Sequence, residues 1–176
     1  MIVKGGRYDH EYKAGDLTLR QEWIKTFDIN VAGTMVLTET FMPLLLRSSD
    51  ARLLFLTSGL SSLTKTSNKY YPKPHPPPAG WPKDISFDSI AYRSTKTALN
   101  MAMINWDWRL KEDGVKVWCV SPGFLATNLG DAHDLLASRG AGHPSVGGTF
   151  IRSVVEGDKD GETGKIVHSD GHVQGW

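Results

Sequence analysis

The sequence holds one cysteine, Cys119. No intramolecular disulfide can form, and a reducing, cytoplasmic setting is the expectation. Nor is there an excess of charge of either sign: twenty Lys and Arg stand against nineteen Asp and Glu, a formal net charge of +1. With no basic surplus and no basic run, neither nucleic acid nor an anionic membrane is an expected partner. Long hydrophobic runs are missing too. The most apolar stretch, from Phe41 to Leu56, is broken by Pro43, Arg47, Asp50 and Arg52, whereas a membrane span needs about 20 nearly uninterrupted apolar residues. The start, Met1 to Lys13, is charged and glycine-bearing and lacks the apolar centre of a secretory signal. Six histidines are dispersed along the chain without metal-ligand spacing, so no metal site is expected. What remains is an ordinary globular composition. The 176 residues, 40% hydrophobic and 22% charged, fit one domain spanning 1–176, without internal repeats.

The first 17 residues read as a loop or loose end. Thr18, with Gln21 three positions on, has the pattern of a capping box and opens a helix. Trp23, Phe27 and Val31 form an apolar stripe along it, and the helix is expected to run toward Leu46. Leu53-Leu54-Phe55-Leu56 is a short, continuous apolar run, as in a buried parallel strand. Between 59 and 90 the character changes. Pro72, Pro74, Pro76, Pro77, Pro78 and Pro82 fall within eleven positions, flanked by Tyr70, Tyr71 and Trp81. Proline lacks an amide proton and fixes φ, so a long loop with no helix or central strand is expected. Ala98, Ala102, Trp106 and Leu110 then mark a second long helix, with Gly114 in the position of a C′ residue. Val115 to Val120 reads as a strand, Pro144 to Gly157 as a last helix, Lys165 to His168 as a short strand and Asp170-Gly171 as a turn. Helices alternating with buried strands imply an α/β fold with a parallel sheet.

Four places carry candidate chemistry. Tyr92 and Lys96 lie four apart and share a helix face. A nearby ammonium favours phenolate and is expected to lower the tyrosine pKa, suiting Tyr92 to general acid/base work. The plainer alternative is a solvated pair at a helix start. Ser58 follows the apolar strand at its carboxyl end, where open α/β sheets bind ligands. It can donate a hydrogen bond to a carbonyl, or simply initiate a turn, and Thr57, Ser61 and Ser62 are close enough to share either role. Asn30, a mediocre helix former, stands three residues before Gly33. The pair implies a kink, a close backbone approach or a polar task, against a tolerated surface asparagine. Ser121-Pro122-Gly123, followed by Thr127, makes a turn that lets backbone approach a flat ligand, or one that merely ends a strand. Cys119 and the tryptophans Trp106 and Trp108 read as packing residues.

Taken in order, Asn30-Val31-x-Gly33, Thr57-Ser58, Tyr92-x-x-x-Lys96 and Ser121-Pro122-Gly123 resemble the short-chain dehydrogenase/reductase family, from about Leu17 to Trp176. Gly164-Lys165-Ile166 through Asp170-Gly171 is similar to family C-termini. The resemblance implies a Rossmann-like parallel sheet with flanking helices and an NAD(P)-dependent oxidoreductase that interconverts a carbonyl and a secondary alcohol, with NADP or NAD as cofactor and a small carbonyl or alcohol as substrate. Tyr92 would move the proton. Lys96 would lower its pKa and hold the nicotinamide ribose, Ser58 would position the substrate oxygen, and Asn30 would fix a water. Pro122, Gly123, Leu125 and Thr127 would line the nicotinamide. The two long helices imply a homo-oligomer face.

The sequence also departs from the family pattern. A turn of the type T-G-x-x-x-G-x-G, which meets the cofactor pyrophosphate, is absent, as is the Asn-Asn-Ala-Gly segment. The expectation is a domain truncated at its N-terminus, without the residues that choose between NAD and NADP. Helix-terminus amides of that kind are the usual pyrophosphate site. A catalytically inactive family member, or an interaction module, is therefore the alternative. The interval from Ser58 to Tyr92 is longer than usual for the family. The proline-rich insertion accounts for it and lies where Tyr71 and Trp81 would wall a substrate.

Overall fold

Two runs of large and β-branched residues, Arg52–Leu56 (β1) and Lys116–Ser121 (β2), lie side by side and parallel in the computed structural model. Leu53 stands opposite Val117 and Phe55 opposite Cys119. The structure describes residues 6–68, 75–83, 85 and 89–176. Ile166–His168 (β3) adds to β2 in parallel, and Val173–Gln174 (β4) adds to β3 in antiparallel fashion, giving the order β1-β2-β3-β4. The helices in chain order are α1 (Asp9–Ala14), α2 (Leu19–Phe27), α3 (Gly33–Leu45), α4 (Leu63–Asn68), α5 (Ile90–Arg109), α6 (His133–Ser138) and α7 (Pro144–Glu156).

The period-2 geometry of a strand sends alternate residues to opposite faces. Val117 and Cys119 join Phe55, Leu99, Met103, Trp106 and Met42 in a core beneath α3 and α5. Trp118 and Val120 join Val154 and Val167 in a second core beneath α7. Because both faces are covered, β1 and β2 are apolar between their charged first residues and their carboxyl ends, as a parallel sheet requires. The result is a Rossmann-like sheet with flanking helices. Among the described residues no helix is long and apolar enough to cross a membrane.

Thr18 caps α2 as its sequence suggests: the Gln21 amide donates to the Thr18 hydroxyl at 3.3 Å and the Thr18 amide to Gln21 Oε1 at 2.8 Å. The long helix that follows is not uniform. α2 passes through a π-helical turn, Asp28–Ala32, before α3 begins. Its most buried positions are Glu22, Thr26, Asn30, Thr38 and Met42, while the stripe of Trp23, Phe27 and Val31 is only half-buried. On α3 and α5, Val36, Leu37, Phe41, Leu44, Met101 and Trp108 are exposed.

Several sequence expectations need correction. The first 17 residues contain α1, ended by Gly15 in the left-handed region at φ 86°. Residues 59–90 begin with a 3-10 turn and α4, which form because the prolines start only at Pro72. Tyr70, Tyr71, Pro72 and Pro74 lie outside the described residues. Trp81, expected to wall a substrate, is 87% exposed. α5 stops at Arg109, so Gly114 (φ 68°) closes the turn into β2 rather than capping the helix. The segment before α7 includes α6, and β4 was not anticipated.

Arg52 and Lys116 open β1 and β2 directly opposite each other, a repulsive pairing by itself. Two carboxylates resolve it. Asp160 accepts from Arg52 Nη1 at 2.5 Å and Lys116 Nζ at 2.6 Å, and Asp50 from Lys116 Nζ at 2.9 Å and Arg52 Nη2 at 2.9 Å. Arg52 and then Lys116 hold the Asp160 carboxyl below the usual carboxylate range, and Lys116 and then Arg52 do the same for Asp50. A carboxyl depressed in the folded state stabilises the fold above its unfolded pKa of about 4, and that stability is lost as pH falls through the lowered folded value. The melting temperature is therefore expected to fall on acidification below about pH 4. Asp160→Asn should melt lower at neutral pH and fall less steeply in acid, as thermal denaturation followed by circular dichroism across pH would read.

Candidate active site

The carboxyl ends of β1 and β2 and the first turns of α5 meet at one edge of the sheet. β1 delivers Thr57 and Ser58 into the 3-10 turn Gly59–Ser61, whose entry Ser58 caps by accepting from the Leu60 amide at 3.2 Å. α5 places Tyr92 and Lys96 on one face. Ser58 stands near enough to the Tyr92 phenol to favour its ionised form. Lys96 Nζ donates to the Leu56 carbonyl at 2.8 Å and stands 5.6 Å from the centre of the Tyr92 ring. The structure thus brings Ser58, Tyr92 and Lys96 together.

The expected lowering of the phenol pKa is not what this geometry produces. Burial pushes Tyr92 up, against smaller opposing effects of the Ser58 side chain and the Arg7 charge. Lys96 spends its ammonium on a strand-end carbonyl, and burial brings its own pKa down to about 8. The phenol is therefore neutral at neutral pH and holds a proton it can give.

Asn30 reaches the site indirectly. It lies in the π turn, a feature often found at functional positions, and of the three roles its sequence left open the close backbone approach is observed. Asn30 Oδ1 accepts from the Gly6 amide at 3.2 Å, and Nδ2 donates to the Gly6 carbonyl at 2.8 Å and to Thr95 Oγ1 at 3.0 Å. A Cβ on residue 6 would stand 3.1 Å from Asn30 Oδ1, which is why glycine suits that position. Thr95 in turn donates to the Tyr92 carbonyl at 2.6 Å. Asn30 thereby fixes the start of α5, and its side chain does not touch Lys96.

At the end of β2, Pro122 and Gly123 turn the chain. Gly123 has φ 102°, and a Cβ there would stand 2.7 Å from Ser169 Oγ. Leu125 packs on Gly147 of α7, where a Cβ would come within 2.4 Å of its side chain. The Thr127 hydroxyl accepts from the Leu129 amide at 3.4 Å. Beyond it a cleft of about 660 Å³ is lined by His10, Asn128, Asp131, His133 and Leu135, and by none of Ser58, Tyr92 and Lys96. His168 and His172, dispersed among other histidines in the sequence, are brought together with Asp170 on the β3–β4 turn.

Sequence reasoning missed a buried polar cluster behind Ser58. Ser61 Oγ donates to the Ser58 carbonyl at 2.7 Å and accepts from Asn100 Nδ2 at 3.0 Å and Gln174 Nε2 at 3.1 Å. Thr57 Oγ1 donates to Asn100 Oδ1 at 2.7 Å. These bonds tie the Ser58 turn to α5 and to β4. The serine-rich run after β1 gave a signal for Ser61. Asn100 and Gln174 gave none, since their partners are remote in sequence.

The chain is similar to proteins whose names carry one description. It is 55% identical over 163 residues to the short-chain dehydrogenase/reductase tropE of Talaromyces stipitatus, covering 92% of this chain and 61% of that one. It is 48% identical over 164 residues to the short-chain dehydrogenase/reductase eupG of a Phoma species, covering 89% and 58%. The chain thus spans about 60% of the length of these curated relatives. Its fold matches the NADPH-bound carbonyl reductase from chicken fatty liver with a TM-score of 0.67 at 19% identity, covering 92% of this chain and 60% of that one. No protein-family model matches.

The Ser61 hub makes a measurable claim. Ser61→Ala removes the acceptor of the buried Asn100 amide and leaves Gln174 Nε2 only its long 3.5 Å bond to the Ser58 carbonyl, and a buried unsatisfied donor costs about 1–3 kcal/mol. Urea unfolding should show a loss of that size, and a variant as stable as the parent would contradict the hub.

Proposed function

The chain belongs to the short-chain dehydrogenase/reductase family, and on that premise we propose that it reduces a small-molecule carbonyl to an alcohol with NADPH or NADH, and catalyses the reverse oxidation. The observation that carries this reading is the placing of the Tyr92 phenol beside Lys96, whose ammonium is anchored on the strand end that leads into Ser58.

The bound nicotinamide would supply the hydride. The residues present suit its reactive end: Lys96 offers a cation at the sheet edge, and Pro122-Gly123, with Leu125 and Thr127 following, offers a turn whose backbone is bare at Gly123. In this reading Lys96 holds the ribose, and its charge falls away above its pKa of about 8. Ser58 hydrogen-bonds the substrate oxygen and orients it toward the phenol. Tyr92 donates its proton to that oxygen as negative charge develops there, general acid catalysis by a group already protonated at neutral pH. Asn30 acts through Thr95 by holding the helix that presents Tyr92. The chicken reductase is NADPH-bound, so NADP is the first cofactor to test, with NAD as the comparison.

The apolar residues exposed on α3 and α5 support a second part of the reading, self-association through these helices. Sedimentation velocity should show concentration-dependent association, and Leu37→Glu with Trp108→Glu should shift the chain toward monomer. Association unchanged by the double substitution would remove these faces from the contact.

For the chemistry, consumption of NADPH or NADH with nitrobenzaldehyde as substrate is the assay. Tyr92→Phe keeps the ring and removes the proton. It should lower turnover by about 10²–10⁴, the usual contribution of a general acid. Lys96→Met should also be severe. Both variants should melt within a few degrees of the parent. Turnover that survives Tyr92→Phe in a folded protein would overturn the assignment of the acid.

A further inference from the structure

Outside the elements that carry Ser58, Tyr92 and Lys96, three potential metal ligands converge on the turn that joins β3 to β4. His168 Nδ1 lies 3.0 Å from Asp170 Oδ1, and His172 Nδ1 meets the same oxygen. All three donor atoms lie within 4.8 Å of one another. The two imidazoles stack with centroids 4.7 Å apart and planes 22° from parallel. The backbone sets this arrangement. The Gly171 amide donates to the His168 carbonyl at 3.0 Å, the His168 amide to the His172 carbonyl at 3.1 Å, and the His172 amide to Asp170 Oδ1 at 3.2 Å. His172 Nε2 is buried and has no hydrogen-bond partner among the described residues, and Asp170 is the polar group seen to orient that ring.

We propose that this turn is a binding site for a divalent transition-metal ion, with His168 Nδ1, Asp170 Oδ1 and His172 Nδ1 as three ligands from one short segment. Two imidazole nitrogens and one carboxylate oxygen form a donor set that suits zinc, cobalt, nickel or copper better than magnesium or calcium, which prefer all-oxygen shells. Zinc binds such atoms at about 2.0–2.2 Å, which places neighbouring ligands a little over 3 Å apart. The His168–Asp170 separation already matches; the His172 ring must draw back from Asp170 and turn out of its stack with His168, and His168 Nδ1 must give up the Asp170 amide, 3.3 Å away, as the ion enters.

The Lys65 charge bears on His168 and opposes a cation; it weakens the site without removing a ligand. Asp170 and His172 retain enough exposure for an ion to enter from solvent.

The turn backs both parts of the active site. A Cβ at Gly59, next to Ser58, would stand 3.4 Å from His168 Nε2, and Ser169 Oγ lies beneath Gly123. An ion here would stiffen the support of Ser58 and Gly123 without touching a substrate. This inference stands apart from the hydride-transfer reading.

The test uses the chelator-treated chain titrated with Zn(II) and with Co(II), followed by calorimetry and by thermal melting. Saturable binding of one ion per chain and a raised melting temperature are expected. His172→Ala and Asp170→Asn should each weaken binding by more than about tenfold, a loss at least as large as that seen for outer-shell partners. His133→Ala, at the exposed His133–Asp134 pair, should bind as the parent does. Should the ligand variants fail to fold, imidazole resonances of the unmodified chain decide: Zn(II) must shift two histidines as a pair, assigned to His168 and His172. No saturable binding, full binding by folded His172→Ala, or a shift confined to other histidines would each overturn the proposal.

Discussion

The buried hydroxyl of Ser61 is the contact on which the geometry of this edge depends. It ties three stretches remote in sequence: the turn after β1, the middle of α5 and the last strand. Each bond is ordinary, but their burial makes them directional, because a polar group that slips from its partner there has no water to turn to. The Ser58 turn is thus held against α5 by hydrogen bonds that include a backbone carbonyl, and Tyr92 and Lys96 inherit a fixed relation to it. On the far side of α5, Asn30 and Thr95 do the same at the helix start. The apolar cores set the layers; the polar contacts set the register of the site within them.

The legible parts of the sequence were those with local causes. The capping box at Thr18, the apolar runs of β1 and β2 and the proline that opens α7 each act through neighbours in the chain, and each was placed to within a residue or two. Ser58, Tyr92 and Lys96 were legible as a group because a strand end and a four-residue helical spacing both point to one edge. Other features depend on remote partners. Gln174 lies 113 residues from Ser61 and Asn100 lies 39 away, and nothing near either announces the bond. The direction of the Tyr92 shift was misjudged for the same reason. Spacing brings Lys96 near the phenol, but only the folded chain shows its ammonium engaged by Leu56 and the ring withdrawn from water. The early segment hides its helix because α1 has only six residues, too few for a periodic apolar signal, with a local ion pair of Arg7 and Asp9 at its start.

The π turn at Asp28–Ala32 has a consequence for how the two halves of the long helix are phased. Positions 22 and 26 before it, 30 within it, and 38 and 42 after it, are spaced in multiples of four and face inward. In an unbroken α-helix each step of four overshoots a full circle by about 40°, so such a series would wind round to solvent. The wide turn absorbs one residue, worth about 100° of rotation, and brings the series back into line. One rod thus shows α5 a polar flank at Thr26 and Asn30 and shows the sheet an apolar one at Met42. A relative with one residue fewer in this stretch would have the second half of the rod rotated by that same angle, with a different set of side chains turned to the sheet.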